Sequence, residues 1–455
     1  MNKPIGRFIE GSIWRHLTTM SLTNAVSLIM VFFADFINIF FIARLGVTEL
    51  TASIGFASTV MFFPRTFSIA LGITTSVLVS RHIGRNEPRR VRHYVVNTSI
   101  CALLISSLIA VIMWFTRDTL VSWVGATGST QHYASDFLAI VLPGTIFFAL
   151  ASCGGQIIRA HGEARLSMWL GIATAVISII LNPIFIFLFQ MGLNGAAWAT
   201  FISQLAMMLM HGYYVIYRFR LISRFRLSRW LADIPEIWRI ATPTMLTNIA
   251  SPISAAFAAN QMAKFGDDAI AAFAITQRLL PLALAVIFAL SGAVAPIIGQ
   301  NAGAGQFTRV REAVHAALIF NWITVVLVAI LLYALHSILP GWFSLHGQAA
   351  ELLIYFCSGV ALFFGFDGMV FCVNAGFNNL GKPVYSTLNN FGRVFLGAIP
   401  FVWLGQHYLG ARGVVLGYMA ESLWVAPISW YVIQRLIRQY EHGEKYLTYS
   451  RERGQ

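Results

Sequence analysis

The chain has 455 residues, of which 57% are hydrophobic and only 11% charged, where a soluble domain carries roughly a quarter of its residues charged. That balance excludes a water-soluble enzyme and a disordered chain alike. Lysine and arginine outnumber aspartate and glutamate by 31 to 18, for a net charge of +13. In so apolar a chain this excess belongs to loops on the cytoplasmic side of a membrane rather than to a nucleic-acid surface.

One bilayer crossing takes about 20 apolar residues, and the apolar runs here are continuous rather than alternating, which predicts helices and not barrel strands. Taken in chain order they fall near 17–43, 51–80, 93–116, 133–158, 166–190, 194–217, 241–263, 269–298, 312–339, 350–377, 384–406 and 413–434. The expected fold is therefore an all-α membrane protein of twelve spans, with short loops and no extramembrane domain. The first run is too long, and too polar in its middle, for a cleaved signal peptide. Cys101, Cys153, Cys357 and Cys372 all sit inside apolar runs with no metal spacing and no disulfide framework.

The positive charges orient the spans. With the N-terminus inside, the inner side holds 24 lysines and arginines, including Arg81 to Arg92, Arg218 to Arg239, and Arg309 with Arg311. The outer side holds only Arg44, Arg117, Lys264 and Arg412, and three more, Arg65, Arg278 and Arg393, lie within spans. The asymmetry predicts twelve spans with both termini in the cytoplasm.

The two halves resemble each other. Ala43-Arg44-Leu45-Gly46 matches Ala263-Lys264-Phe265-Gly266, Val91-Arg92 matches Val310-Arg311, Gly162 matches Gly381, and Gly192 with Gly195 matches Gly410 with Gly413, all at offsets of 218 to 220 residues. Gly84 and Asn86 are matched with Gly299 and Asn301, at 215. Six spans per repeat is an even number, so the lobes share one orientation about an axis along the membrane normal, an arrangement of secondary transporters. The expected division is a first lobe over 1–217, a basic linker over 218–239, a second lobe over 240–436 and a cytoplasmic tail over 437–455. The linker, with Trp230 among its arginines, reads either as an amphipathic helix on an anionic leaflet or as a plain solvated loop.

No segment carries a phosphate-binding loop. The run Gly299-Gln300-Asn301-Ala302-Gly303-Ala304-Gly305 lacks the lysine and follows an apolar helix rather than a strand. No cofactor motif is present and no nucleic-acid partner is expected. An ion gradient is left as the energy source, since one charge moved through the membrane potential is worth about 2.3 kcal/mol per 100 mV.

The run Gly299 to Gly305, followed by Arg309 and Arg311, resembles the signature after span 8 of the MATE (multidrug and toxic compound extrusion) transporters. Gly84-Arg85-Asn86 with Arg90 and Arg92 is similar to the weaker version after span 2. Leu181-Asn182-Pro183 followed by Gly192-Leu193-Asn194-Gly195-Ala196-Ala197 is similar to the motif of spans 5 and 6. The resemblance covers essentially the whole chain. It implies export of lipophilic, often cationic compounds in exchange for H+ or Na+, by alternating access between two six-helix lobes.

The resemblance also implies ion-coupling residues. An acid in span 1 is central in the family, and Asp35 stands there. A second acid is expected in span 5 before proline, where this chain has Asn182, with Ser178 one turn earlier; Thr200 matches a polar position of span 6. Another branch uses acids in spans 7 and 10. Asp367 fits span 10, but span 7 offers only Asn248, Asn260 and Gln261. Coupling is therefore expected among Asp35, Asn182, Ser178, Thr200 and Asp367, with Na+ ligation open at Asp35 and Asn182.

An aspartate within a span costs several kcal/mol by insertion scales, which argues for a functional Asp35. Asn182 cannot titrate, but it offers an amide oxygen beside the backbone carbonyl freed by Pro183. Gln277, Arg278, Arg393 and Glu421 make a candidate cavity or polar network of the second lobe, in which Asp367, Arg393 and Glu421 carry opposite charges and are expected to pair. Pro64, Pro183, Pro281, Pro296 and Pro400 are candidate kinks. Aromatic residues, 14% of the chain, suit organic cations, although most are expected at lipid. The reading is a monomeric antiporter of small organic cations. Its rival is a flippase for a lipid-linked oligosaccharide, disfavoured by the few intramembrane cations. A membrane-embedded enzyme would need a clustered catalytic motif such as H-E-x-x-H, and none is present.

Overall fold

A computed structural model describes residues 6–343 and 345–443, without the side chains of Ala43 and Thr48. The structure is helical and makes twelve crossings, six per half. Ten of its helices are long and apolar enough to cross a membrane. The other two crossings are α7 and the final leg from Ala411 to Glu441.

The first half comprises α1 (Ile13–Ala43), α2 (Thr48–Gly84), α3 (Pro88–Trp123), α4 (Gly128–Ala160), α5 (Ala164–Pro183) and α6 (Gly192–Tyr213). Helices α5 and α6 each end in a π-turn, Ile184–Leu188 and Tyr214–Arg218. The second half comprises α7 (Leu227–Met262), α8 (Asp267–Ala283), α9 (Ala285–Gly303), α10 (Phe307–Leu335), α11 (Leu339–Trp342), α12 (Gly347–Cys357), α13 (Phe364–Asn379), α14 (Pro383–Gly392), α15 (Ile399–Met419) and α16 (Val425–Glu441).

By packing, the chain divides into two compact units. One is residues 26–241; the other joins residues 6–25 to the chain from 242 onward. In the first, α4 is the hub, packed on α2, α3 and α6. Close approach is made possible by small residues, the usual solution where lipid supplies no hydrophobic drive between helices. Gly72 faces Ser152, Gly144 faces Gln204 and Gly154 faces His211, each so near that a β-carbon would collide. In the second unit α9, α10, α13 and α16 form the centre, and Gly365 lies under Trp322 while Gly376 lies under Ile433.

The turns carry the repeat. Left-handed backbone recurs at Gly46 and Gly266, Asn86 and Gly305, Gly128 and Gly347, Gly162 and Gly381, and Gly192 and Gly410. After α2, the Asn86 amide donates to the Ile83 carbonyl and the Glu87 amide to that of His82; after α9, Gly305 donates to Ala302 and Gln306 to Asn301 in the same pattern. This corrects the register read from sequence, which set Asn86 against Asn301. The counterpart of Asn86 is Gly305, because both positions close a helix with positive φ, a conformation open to asparagine and glycine.

Each half also holds a tight helical hairpin. A β-carbon on Gly195 would come within 2.6 Å of the Phe185 backbone, and one on Gly413 within 1.8 Å of the Gly405 carbonyl oxygen. The tip residues, Gln190 and Gly410, have positive φ.

Several predicted spans are interrupted. Span 8 breaks at Leu284, three residues after Pro281; span 10 breaks at Gly359, with φ of 131°; span 12 breaks between Met419 and Val425. Span 11 contains a π-segment, Arg393–Ala398, ending shortly before Pro400. Pro64 and Pro296 lie inside unbroken helices. The predicted amphipathic linker helix starts only at Leu227, and its buried Ile237 and Ile240 pack on Val77, Leu78 and Tyr94 of its own unit instead of facing lipid. Asn97 donates to Asp233 at 2.7 Å and the Tyr94 hydroxyl to Glu236 at 2.5 Å, which fixes it there. All four cysteines are buried and free.

Candidate functional site

In the first unit, α1 and α5 are in contact at two levels. The Ser27 side chain lies directly over Gly171, and Phe41 meets Phe187 edge-on at 6.0 Å between ring centres. Asp35 and Asn182 lie between these anchors. At about 1.5 Å of rise per residue, eight residues separate Asp35 from Ser27 and eleven separate Asn182 from Gly171, so the two residues stand within about one turn of the same depth. Asp35 is exposed on α1 and makes no hydrogen bond or ion pair with any described residue. Arg65, in the middle of α2 and also exposed, is the charge whose field reaches it.

Asn182 is buried. Its amide nitrogen donates to the Ser178 carbonyl at 2.8 Å, with the Ser178 hydroxyl 3.3 Å away. Its amide oxygen is buried without a partner, as is that of Asn38, three residues beyond Asp35. Asn182 stands at the end of α5, where Pro183 supplies no amide hydrogen to the carbonyl one turn back and the chain widens into the π-turn that follows. Thr200 is occupied locally, donating to the Ala196 carbonyl at 2.9 Å.

In the second unit the structure brings Asp367, Arg393 and Glu421 together. Arg393 Nη1 lies 2.9 Å from Asp367 Oδ1 and 3.4 Å from Glu421 Oε1. Arg393 Nη2 donates to Ser251 Oγ at 2.5 Å, Ser422 Oγ donates to Asp367 Oδ1 at 2.5 Å, and the Ser254 hydroxyl donates to Glu421 Oε2. The guanidinium also stands over the Phe371 ring at 5.6 Å. The backbone makes this cluster possible at Gly397, where a β-carbon would sit 2.0 Å from the Glu421 carbonyl oxygen. The absence of that carbon lets the break in span 12 press against the π-segment of span 11.

Gln277 joins at the edge, accepting from the Tyr418 hydroxyl at 3.4 Å, with its amide nitrogen left unpartnered. Arg278 does not join: it is exposed on α8 and pairs with no described residue. Asn248 is tied to the Thr244 carbonyl of its own helix, and Gln261 accepts from Lys264. Among the described residues no group of three histidines, cysteines or acids could hold a metal ion. Sequence reasoning missed Ser251, Ser254 and Ser422. Their available signal was hydroxyls one turn apart on a span and one adjoining Glu421.

A twelve-span helical repeat with isolated intramembrane charges defines a membrane transporter rather than an enzyme. The family model MatE matches residues 24–184 and again residues 243–404. The chain belongs to the MatE family. It is 28% identical to the FAD transporter of Shewanella oneidensis, over 94% of this chain and 96% of that one. It is 25% identical to the multidrug export protein MepA of Staphylococcus haemolyticus, over 94% and 95%. Among solved structures it is similar to the MATE transporter VcmN of Vibrio cholerae in its bent form, with a TM-score of 0.88, 25% identity and coverage of 94% and 98%. The MOP superfamily transporter of Pyrococcus furiosus, at 19% identity and a TM-score of 0.89, shares the fold.

Proposed function

We propose that this chain is a proton-coupled exporter of amphipathic organic compounds, working by alternating access in a bacterial inner membrane with both termini cytoplasmic, and that Asp35 carries the coupling proton. The observation that carries this reading is the contrast between the intramembrane acids. Asp367 and Glu421 are committed to Arg393 and serines, whereas Asp35 is unpaired and open. A carboxyl without fixed partners gains and loses a proton without first breaking a bonded network. When protonated it becomes a donor, and the unpartnered Asn182 oxygen at the same depth is an acceptor for it. Substrate and proton then compete for one negative charge, which is the minimum an antiporter requires.

Organic cations are the first substrate class, consistent with the multidrug export protein among the relatives. A second reading is export of a dinucleotide such as FAD. It is favoured by the FAD transporter among the relatives and by Arg278, an exposed arginine within a span that no described carboxylate neutralises. The test uses the full chain in liposomes loaded with a fluorescent organic cation or with FAD, under an imposed H+ or Na+ gradient, for wild type and Asp35→Asn. Proton-driven efflux lost in Asp35→Asn is expected. Efflux driven by Na+ alone, or surviving Asp35→Asn, overturns the assignment. Efflux of FAD but not of the cation selects the second reading.

A further inference from the structure

At the charged ends of α10 and α16 the second unit holds a cavity of about 510 Å³ lined by Arg311, His315, Trp430, Gln434, Arg435 and Arg438. None of the polar groups of the candidate site takes part in it. Arg311 is paired through Nη1 with Glu441 Oε2 at 3.1 Å, which leaves its other guanidinium nitrogens for a ligand. Arg435 and Arg438 are exposed, and neither side chain pairs with a described residue. Gln434, in contrast, is 8% exposed, and its amide nitrogen is buried with no hydrogen-bond partner. A buried donor left unpaired costs free energy comparable to a lost hydrogen bond, so its presence on a cationic cavity wall calls for an acceptor oxygen from outside the protein.

The surfaces leading away from this cavity are apolar. On α10, His315 begins a row at four-residue spacing through Ile319, Ile323 and Leu327, all exposed. On α16, Tyr431, which also lines the cavity, and Ile428 lie one and two turns back from Arg435 on the same face, and both are exposed. Trp430 stands where the two regions meet, edge-on to His315 at 6.2 Å. Tryptophan and tyrosine at a boundary between arginines and aliphatic side chains mark the headgroup level of a bilayer.

We propose that this groove between α10 and α16 is a binding site for an anionic phospholipid. The phosphate lies among Arg311, Arg435 and Arg438, one of its oxygens accepts from Gln434, and the acyl chains run along the α10 row and the α16 face. Basic pockets between transmembrane helices hold anionic headgroups in this way. Free phosphate shares the headgroup chemistry, but it has no use for the apolar rows. The inference does not depend on what the protein transports.

The test is native mass spectrometry of the full chain in detergent, with delipidated protein offered phosphatidylglycerol, phosphatidylcholine or inorganic phosphate, for wild type, Arg435→Ala/Arg438→Ala and Arg435→Lys/Arg438→Lys. Wild type is expected to retain phosphatidylglycerol over phosphatidylcholine. Loss of both arginine charges is expected to weaken that retention about thirtyfold, and the lysine variant, which keeps the charge, is expected to recover much of it. Equal retention of the two lipids, equal retention by wild type and the alanine variant, or phosphate binding undiminished without acyl chains would each overturn the proposal. Thermal unfolding of the alanine variant, expected to match wild type because both side chains are exposed, separates loss of the site from loss of the fold.

Discussion

Arg393 holds Asp367 across two spans of the second unit at 2.9 Å, with both side chains about 3% exposed. Desolvating such a pair costs nearly as much as its attraction returns, so the cluster contributes little net stability while intact and much destabilisation when broken. Arg393→Met alone is expected to lower stability by about 3–5 kcal/mol, because it strands two acids. Adding Asp367→Asn and Glu421→Gln to that variant should restore most of the loss. Thermal unfolding of the purified variants in detergent checks the order, and a single variant as stable as wild type would refute the pairing.

Asp35 and Asp367 should separate stability from transport. Asp35→Asn removes an exposed, unpaired carboxylate and is expected to leave unfolding within about 0.5 kcal/mol of wild type while abolishing proton-driven efflux. Asp367→Asn is expected to do the reverse in kind: a lower unfolding temperature with gradient-driven efflux still measurable. Parallel unfolding and liposome assays read both quantities.

The hairpins give a steric prediction. Gly195→Val and Gly413→Val place carbon atoms inside the van der Waals contact of a neighbouring backbone. Each is expected to cost at least about 1–3 kcal/mol, the range for overpacking, with loss of monodisperse protein on gel filtration. Gly212→Val is the control, since nothing lies within 4 Å of that position.

Glu87 gives a pH prediction outside the spans. The His82 ring donates to its carboxylate at 2.6 Å, and this bond holds the Glu87 carboxyl below its ordinary value of 4.5. The ionised form is thus favoured more in the folded chain than in the unfolded one. The stabilisation is complete above the ordinary value and disappears as pH falls through the lower folded value. Glu87→Gln should therefore lower the unfolding temperature slightly at pH 7, the effect being small because Glu87 is 40% exposed. The difference should narrow once the pH is below 4.5 and close as it falls through the lower folded value.

The span count was legible because a bilayer forces each crossing to a common length and apolarity. The repeat was legible because left-handed turns demand particular residues at fixed offsets. The error at Asn86 came from aligning residue identity, when the conserved quantity was backbone sign, which glycine and asparagine satisfy equally. Helix breaks at Leu284 and Gly359 escaped because a hydropathy run does not register a local interruption of the backbone hydrogen-bond ladder. The charges of the second unit were visible as isolated letters, but the serines that complete their network were not, since a serine in a span is commonly bonded to its own helix. The burial of Phe8 near Asn301 had no periodic signal at all.

That last contact has a consequence for the chain as a whole. The Phe8 amide donates to the Gln300 side chain, while its carbonyl accepts from Asn301 and Arg309; Arg309 also reaches the Gly11 carbonyl. One physical seam thus falls between Ala25 and Val26, within a continuous helix, and the other between Ala241 and Thr242, while the repeat has a single seam in the linker. The segment that recurs and the segment that packs are different cuts of one polypeptide. A gene split at the linker for fragment complementation would send the Phe8 clasp away with the wrong half, and swapping second halves between relatives would inherit the same mismatch unless residues 6–25 travelled with them.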